Sequence, residues 1–306
     1  MDTKQIEYIL KIAEENNITK AAEKLFITQS ALNQQLLKLE KELGTPLFHR
    51  SRTNWRLTEA GEIYIEGAKA ALQIKNTTYN RIYDVVSARK GHLTIGLTPG
   101  RGLRMFTAIY PELHRSFPNL DVRPIEMRVR AQQDAIAKGD IDVGLMTLTQ
   151  KDQTSDTYYP LKQEELVLII PSGHPLAEKA APSGKPLATL DLTELRYEPF
   201  VLMDKTSTLR SSCDLLFEKA GFAPNILFET NNTSGIAAMV QSTLCCGIIP
   251  RYYTLGLTEG VACFSLPERP SWEIVISCQK NGYLNSGARE FIRLAREYWE
   301  NSAPLF

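Results

Sequence analysis

Long apolar runs are missing from this chain: the longest, such as residues 166–171, fall far short of the roughly 20 residues that a membrane-spanning helix needs. Met1 leads straight into Asp2, Thr3 and Lys4 rather than an apolar leader, so the expected location is the cytoplasm, with no membrane partner. The five cysteines (Cys213, Cys245, Cys246, Cys263, Cys278) form no CxxC pair, and their odd number argues against a disulfide framework and a zinc site alike. They read as buried thiols, with a redox role for Cys245 or Cys246 left open. Catalytic signatures are missing too. There is no GxxxxGK[ST], HExxH or GxSxG, and His49, His92, His114 and His174 are scattered, so no catalytic residue, metal or cofactor is expected. Net charge is absent as well, with 35 basic against 35 acidic side chains, which confines any nucleic-acid surface to one region.

What is present is enough apolar material for at least two packed cores, 43% of 306 residues. Residues 1–91 carry 14 lysines and arginines against 11 acids, a small basic excess at the N-terminal end. There Ile6, Ile9, Leu10 and Ala13 repeat at helical spacing. Thr19 is placed to cap a short second helix containing Ala21, Ala22 and Leu25, and Phe26 and Ile27 form a turn. Thr28 then caps a third helix on which Leu32, Leu36, Leu39 and Leu43 share a face, stopped by Gly44 and Pro46. Two helices so closely joined predict a helix-turn-helix. The opposite face of the third helix carries Gln29, Ser30, Asn33, Gln34 and Lys38, residue types that reach base edges and phosphates, although periodicity alone favours reading them as a merely solvated surface. The next segment tips the balance: residues 47–58 read as two short strands around a basic hairpin, a wing bringing Arg50, Arg52 and Arg56 to the sugar-phosphate backbone of double-stranded DNA.

The segment TQSALNQQLLKLEKELGTPLF at 28–48, followed by RLTEAG at 56–61, resembles the winged helix-turn-helix of LysR-type transcriptional regulators. That resemblance implies Thr28, Gln29, Ser30, Asn33 and Gln34 in or near the major groove, with Arg50, Arg52 and Arg56 in the wing. Members of the family commonly carry Ser then Arg where this chain has Asn33 and Gln34, which implies an atypical operator preference.

Thr58 caps a helix expected to run to about residue 90, on which Ile65, Leu72, Tyr79 and Val86 recur every seven residues beside Ala68 and Ile82. Its length and seam predict a linker helix that pairs with a second subunit, so that two recognition helices read two half-sites. The resemblance implies a homodimer or homotetramer. From Gly91 short apolar strands alternate with helices, first over 92–146 and again over 166–249, giving two α/β lobes. The segments 272–277 and 288–298 come last, and the resemblance implies that they return to the first lobe. The loop PSGHPLA at 171–177 and GIIP at 247–250 are further points of likeness, whereas MVQSTLCCG at 239–247 is poorer in glycine and alanine than the family usually is. The expected fold is thus α/β multidomain: a winged helix-turn-helix over 1–58, a linker and dimerisation helix over 59–90, and a two-lobed, periplasmic-binding-protein-like effector domain over 91–306. Lobe I takes about 91–162 and 267–306, and lobe II about 163–266.

A cleft at the carboxyl ends of such strands gathers helix N-termini, whose N–H groups attract anions. By resemblance a small organic effector, expected to be anionic, meets Thr98, Pro99, Gly100, Arg101, Met146, Thr147, Thr206, Ser207, Thr208, Asn231, Asn232 and Thr233 there. Each Thr or Ser serves equally well as a helix cap, so the set carries more weight than any member. Two rival classes are weaker. An enzyme finds support only in Gly100, Arg101 and Gly102 after a strand, a dinucleotide-type loop that fails at Met105. A solute-binding protein shares the two lobes but not the winged segment. The expected mechanism is a ligand-dependent change of lobe angle that alters the spacing of paired helix-turn-helices on a bent operator, with RNA polymerase a partner if the protein activates.

Overall fold

The computed structural model describes residues 2–50, 55–86, 89–182, 184–255, 257 and 259–301. It divides into two compact units, one essentially residues 1–92 with 138–140 and the other the remainder.

The first unit is built on helix caps. Asp2 accepts from Lys4 N–H at the start of α1 (Thr3–Glu15), which Asn16 ends in left-handed conformation. α2 (Ile18–Lys24) is capped not by Thr19 but by Asn17, whose side-chain oxygen accepts the N–H groups of Thr19 and Lys20 at 2.9 and 3.1 Å. An Asx cap two residues earlier wins because Ile18 is then free to enter the core. Thr28 caps α3 (Gln29–Leu43) by accepting from Ala31 N–H, and Gly44, at φ 73°, stops it. Two strand fragments, β1 (Phe48–His49) and β2 (Arg56–Leu57), pair antiparallel. Thr58 then caps α4 (Glu59–Val85), whose Gly61 lies so close to Leu47 that a β-carbon would collide with its carbonyl oxygen. The helix ends at Val85, short of the expected 90, and its seven-residue line divides in two. Ala68 is buried with the helix-turn-helix core and Ile65 and Leu72 pack against it, while Ile74, Ile82, Val85 and Val86 are exposed.

In the second unit one strand organises everything. β6 (Thr157–Pro171) pairs over 157–165 with β11 (Ser271–Cys278) and over 166–171 with β9 (Gly247–Pro250) and β10 (Val261–Ser265). Lobe I is completed by β3 (Lys90–Leu97), β4 (Asn119–Glu126) and β5 (Val143–Leu148), in the order β6-β11-β5-β3-β4, with α5 (Arg101–Ser116), α6 (Val129–Lys138) and α9 (Ser286–Asn301). Leu93, Ile95, Leu97, Phe291 and Trp299 fill one side of the sheet; Ile136, Met146, Leu148 and Val275 fill the other. Lobe II adds β7 (Pro199–Met203) and β8 (Asn225–Thr230), paired parallel, with α7 (Thr208–Lys219) and α8 (Thr233–Gln241). Phe200, Phe217 and Phe264 are at its centre, each fully buried ring stabilising the lobe by about 1.5–3 kcal/mol. The chain passes between lobes at Glu165–Leu166 and again between β10 and β11. Among the described residues no helix is long and apolar enough to cross a membrane, and no cluster of three or more His, Cys, Asp or Glu is placed to hold a metal ion.

Candidate functional site

On α3 the burial of Leu32, Leu36 and Leu39 turns Gln29, Ser30, Gln34 and Lys38 outward, with Thr28 exposed at the cap and Asn33 half-buried beside them. Arg56 is exposed on β2. Arg50 is committed elsewhere: its guanidinium is bonded to the Glu40 carboxylate and lies 5.5 Å from the Trp55 ring centre. The same carboxylate accepts Leu47 N–H at 2.8 Å, so a nearly buried acid on α3 anchors the entry to the wing. Arg52 lies outside the described residues. Sequence reasoning did not single out Glu40; its position one residue after Leu39, at the edge of the apolar stripe, is the available signal.

In the second unit a cavity of about 960 Å³ opens between the lobes, at the carboxyl ends of β3, β5 and β7. Of the expected residues, Thr98, Pro99, Gly100, Arg101, Thr147, Thr206, Ser207, Thr208, Asn231, Asn232 and Thr233 all line it. Met146 does not: strand alternation sends its side chain to the opposite face of the sheet, among Val129, Ile136 and Val275, while Thr147 faces the cavity. Sequence reasoning missed Arg104, Arg128, Tyr252, Tyr253, Trp272 and Tyr298, which also line it.

Four helices, α5, α6, α7 and α8, begin at this cavity, so their N-terminal dipole ends converge on it. Ser207 and Asn232 cap α7 and α8, accepting from Leu209 and Ser234 N–H at 3.2 and 2.9 Å. Gly100, at φ 71°, makes the turn into α5 without a side-chain cap. The lining holds three arginines and no acidic residue among the described residues, yet the three differ. Arg101 is buried and bonded to Glu164, itself fully buried, which also accepts from Trp272 Nε1 at 2.7 Å and Tyr252 N–H at 3.1 Å. The rings of Tyr252, Tyr253, Trp272 and Trp299 surround the Arg101 guanidinium at 5.7–5.9 Å. Its charge is therefore already satisfied, and it stiffens the floor rather than supplying a free cation. Arg104 and Arg128 are exposed, Arg128 bonded to Asp204 and Thr206. Burial pushes the Tyr253 and Tyr298 hydroxyls up, keeping them neutral hydrogen-bonding groups. The chemistry on offer is cations, oriented N–H groups and hydroxyls beside an aromatic wall, which suits a small anion with an apolar or planar body.

Comparison with known proteins agrees with both halves. Residues 3–62 match the family model for the bacterial regulatory helix-turn-helix protein of the lysR family, and residues 87–300 match that for the LysR substrate binding domain. An uncharacterised HTH-type transcriptional regulator of Bacillus subtilis, YcgK, is 29% identical over 309 residues, covering 97% of this chain and 94% of its own. Among solved structures, a full-length OxyR variant from Pseudomonas aeruginosa superimposes with a TM-score of 0.69 at 21% identity, covering 99% of this chain and 96% of that one. Full-length CbnR in complex with its target DNA gives a TM-score of 0.66 at 20% identity, covering 97% and 100%. The chain belongs to the LysR family of transcriptional regulators, with a helix-turn-helix DNA-binding domain followed by a substrate-binding domain.

Proposed function

We infer that this regulator reads double-stranded operator DNA through Thr28, Gln29, Ser30, Asn33, Gln34 and Lys38 of α3, with Arg56 on the sugar-phosphate backbone, and that a small organic anion in the interlobe cavity controls it. The observation that carries the second half is the cavity lining, in which four helix N-termini converge and arginines, but no acidic residue among the described ones, face the space; the carboxylates that pair with Arg101 and Arg128 stand behind it. The first half is supported by the outward polar face of α3 and by the family match. The reading gives the cavity a binding role and no reaction. It takes the working species as a homodimer or homotetramer joined along the exposed apolar residues of α4, because paired recognition helices are what a two-fold operator requires. Occupancy of the cavity alters the lobe angle, and through the oligomer the spacing of the DNA-reading helices; if the protein activates, RNA polymerase is its partner on the promoter.

The test is a footprint and gel-shift titration on the DNA upstream of its own coding sequence, at stated salt and with random duplex as competitor, repeated with a panel of small carboxylic acids. A long protected site whose pattern changes with an acid supports the reading. Binding without preference for that site removes the operator assignment, and a pattern indifferent to every acid removes the anionic effector.

A further inference from the structure

At the mouth of the cavity the two lobes are already joined by a charge pair. Arg128, the residue leading into α6 of lobe I, donates from Nη1 to Asp204 Oδ1 at 2.6 Å and also to Thr206 Oγ1. Asp204 follows β7 in lobe II, and the same Oδ1 accepts the N–H of Thr206 at 3.0 Å and its hydroxyl at 2.6 Å. Its other oxygen, Oδ2, is buried without a hydrogen-bond partner. A second link lies beside the first: Thr208 Oγ1, in lobe II, donates to the Thr147 carbonyl of lobe I at 3.1 Å. Arg128 lines the cavity whereas Asp204 does not, so the cation faces the space and its counter-ion stands behind it.

We propose that Asp204 is a built-in competitor for the effector: the effector carries a carboxylate that takes Arg128 from Asp204 and so replaces a protein–protein link between the lobes with a protein–ligand link. The inference rests on the reading of the cavity as an effector site, and adds the ligand's chemical class and the group it displaces. The protein's own carboxylate defines the chemistry, because its partners (a guanidinium, a hydroxyl and a backbone N–H) are those a ligand carboxylate requires. The exchange is cheap. Arg128 is 42% exposed and Asp204 26%, and ion pairs that open to water shift an equilibrium by less than about tenfold. A ligand carboxylate in the same place gains in addition the dipole ends of α6 and α7, both of which begin at the cavity. A resting state held by such a weak link is one that a modest ligand can remodel.

Isothermal titration calorimetry of the full chain with succinate and with phenylacetate, and with their amides as neutral controls, tests this on the wild type, Asp204→Asn and Arg128→Gln. Asp204→Asn is expected to bind at least one acid about threefold to fivefold more tightly than the wild type, the most that release of so exposed a pair can return, Arg128→Gln to bind it about tenfold more weakly, and the amides to bind to none. A gel shift on the same operator checks that each variant is folded. Thr206→Val, which keeps the Asp204 charge but removes a bond to it, is expected to fall between the wild type and Asp204→Asn. If the acids bind but Asp204→Asn gives no gain, the competitor role is overturned while the anion cavity stands. If no acid binds even to Asp204→Asn, the cavity reading falls and the proposal with it.

Discussion

Arg101 and Glu164 form an ion pair sealed from solvent beneath the cavity, 5% and 0% exposed, with the carboxylate also held by Trp272 and by the Tyr252 backbone. Removing one partner leaves the other as an uncompensated buried charge. Glu164→Ala should therefore destabilise the second unit by about 3–5 kcal/mol, whereas Arg101→Met combined with Glu164→Leu should cost far less. Urea unfolding followed by tryptophan fluorescence, which Trp272 and Trp299 report, measures both; equal losses would show that the pair is not coupled.

Arg50 and Arg56, the wing arginines among the described residues, should behave differently. Arg56→Ala should weaken binding to specific and random duplex alike and lower the slope of log K against log salt by about 1, the mark of a phosphate contact. Arg50→Ala removes a brace between Glu40 and Trp55, so it should lower the thermal stability of the DNA-binding unit with a smaller change in salt slope. Asn33→Ala should relax preference at one base pair by about 1–3 kcal/mol and leave the slope unchanged. Gel shifts across a salt series separate the three.

Burial pushes the thiols of Cys213 and Cys246 up to about 12 and that of Cys263 up to about 11. Burial raises Cys245 as well. Near pH 7 almost no thiolate forms, and the thiolate is the reactive species. Ellman's reagent should leave Cys245 and Cys246 unmodified in the native protein and titrate all five cysteines after denaturation. Rapid native labelling at Cys245 or Cys246, with loss of DNA binding, would reopen the redox role.

Ile74 is 69% exposed and Val85 85%, on the half of α4 that the helix-turn-helix core does not cover. Glutamate at Ile74 and Ile82 together should shift the protein toward monomer in light scattering and weaken its operator affinity. An unchanged molar mass would place the subunit contact elsewhere.

Most of the architecture was legible because caps and periodicity are local signals. Thr28, Thr58 and the leucine stripe of α3 announced themselves, and eleven expected cleft residues line one cavity because strand-to-helix turns collect at one end of a parallel arrangement. What was hidden depends on long-range pairing. The first half of β6, residues 157–165, alternates too irregularly to read as a strand until β11 is laid beside it. Arg128 and Tyr298 are 170 residues apart in the sequence, so nothing local marks them as neighbours of one space. Met146 is misplaced by one step of strand alternation, and nothing local shows that Arg101 is already paired, because its partner, Glu164, is 63 residues away.

Because β6 runs unbroken from lobe I into lobe II, the joint between the lobes is a hydrogen-bonded strand rather than a slack tether. The lobe movement proposed above would be a bend or twist about residues 164–166, and two of these are held from the sides, Glu164 by Arg101 and Glu165 by Arg251 at 3.4 Å. Arg101, which lines the cavity, is bonded directly to Glu164, so on the proposed mechanism the floor and the pivot are neighbouring side chains. An effector settling on that floor, as proposed, would act one side chain from the fulcrum and would need no relay across the domain to set the angle.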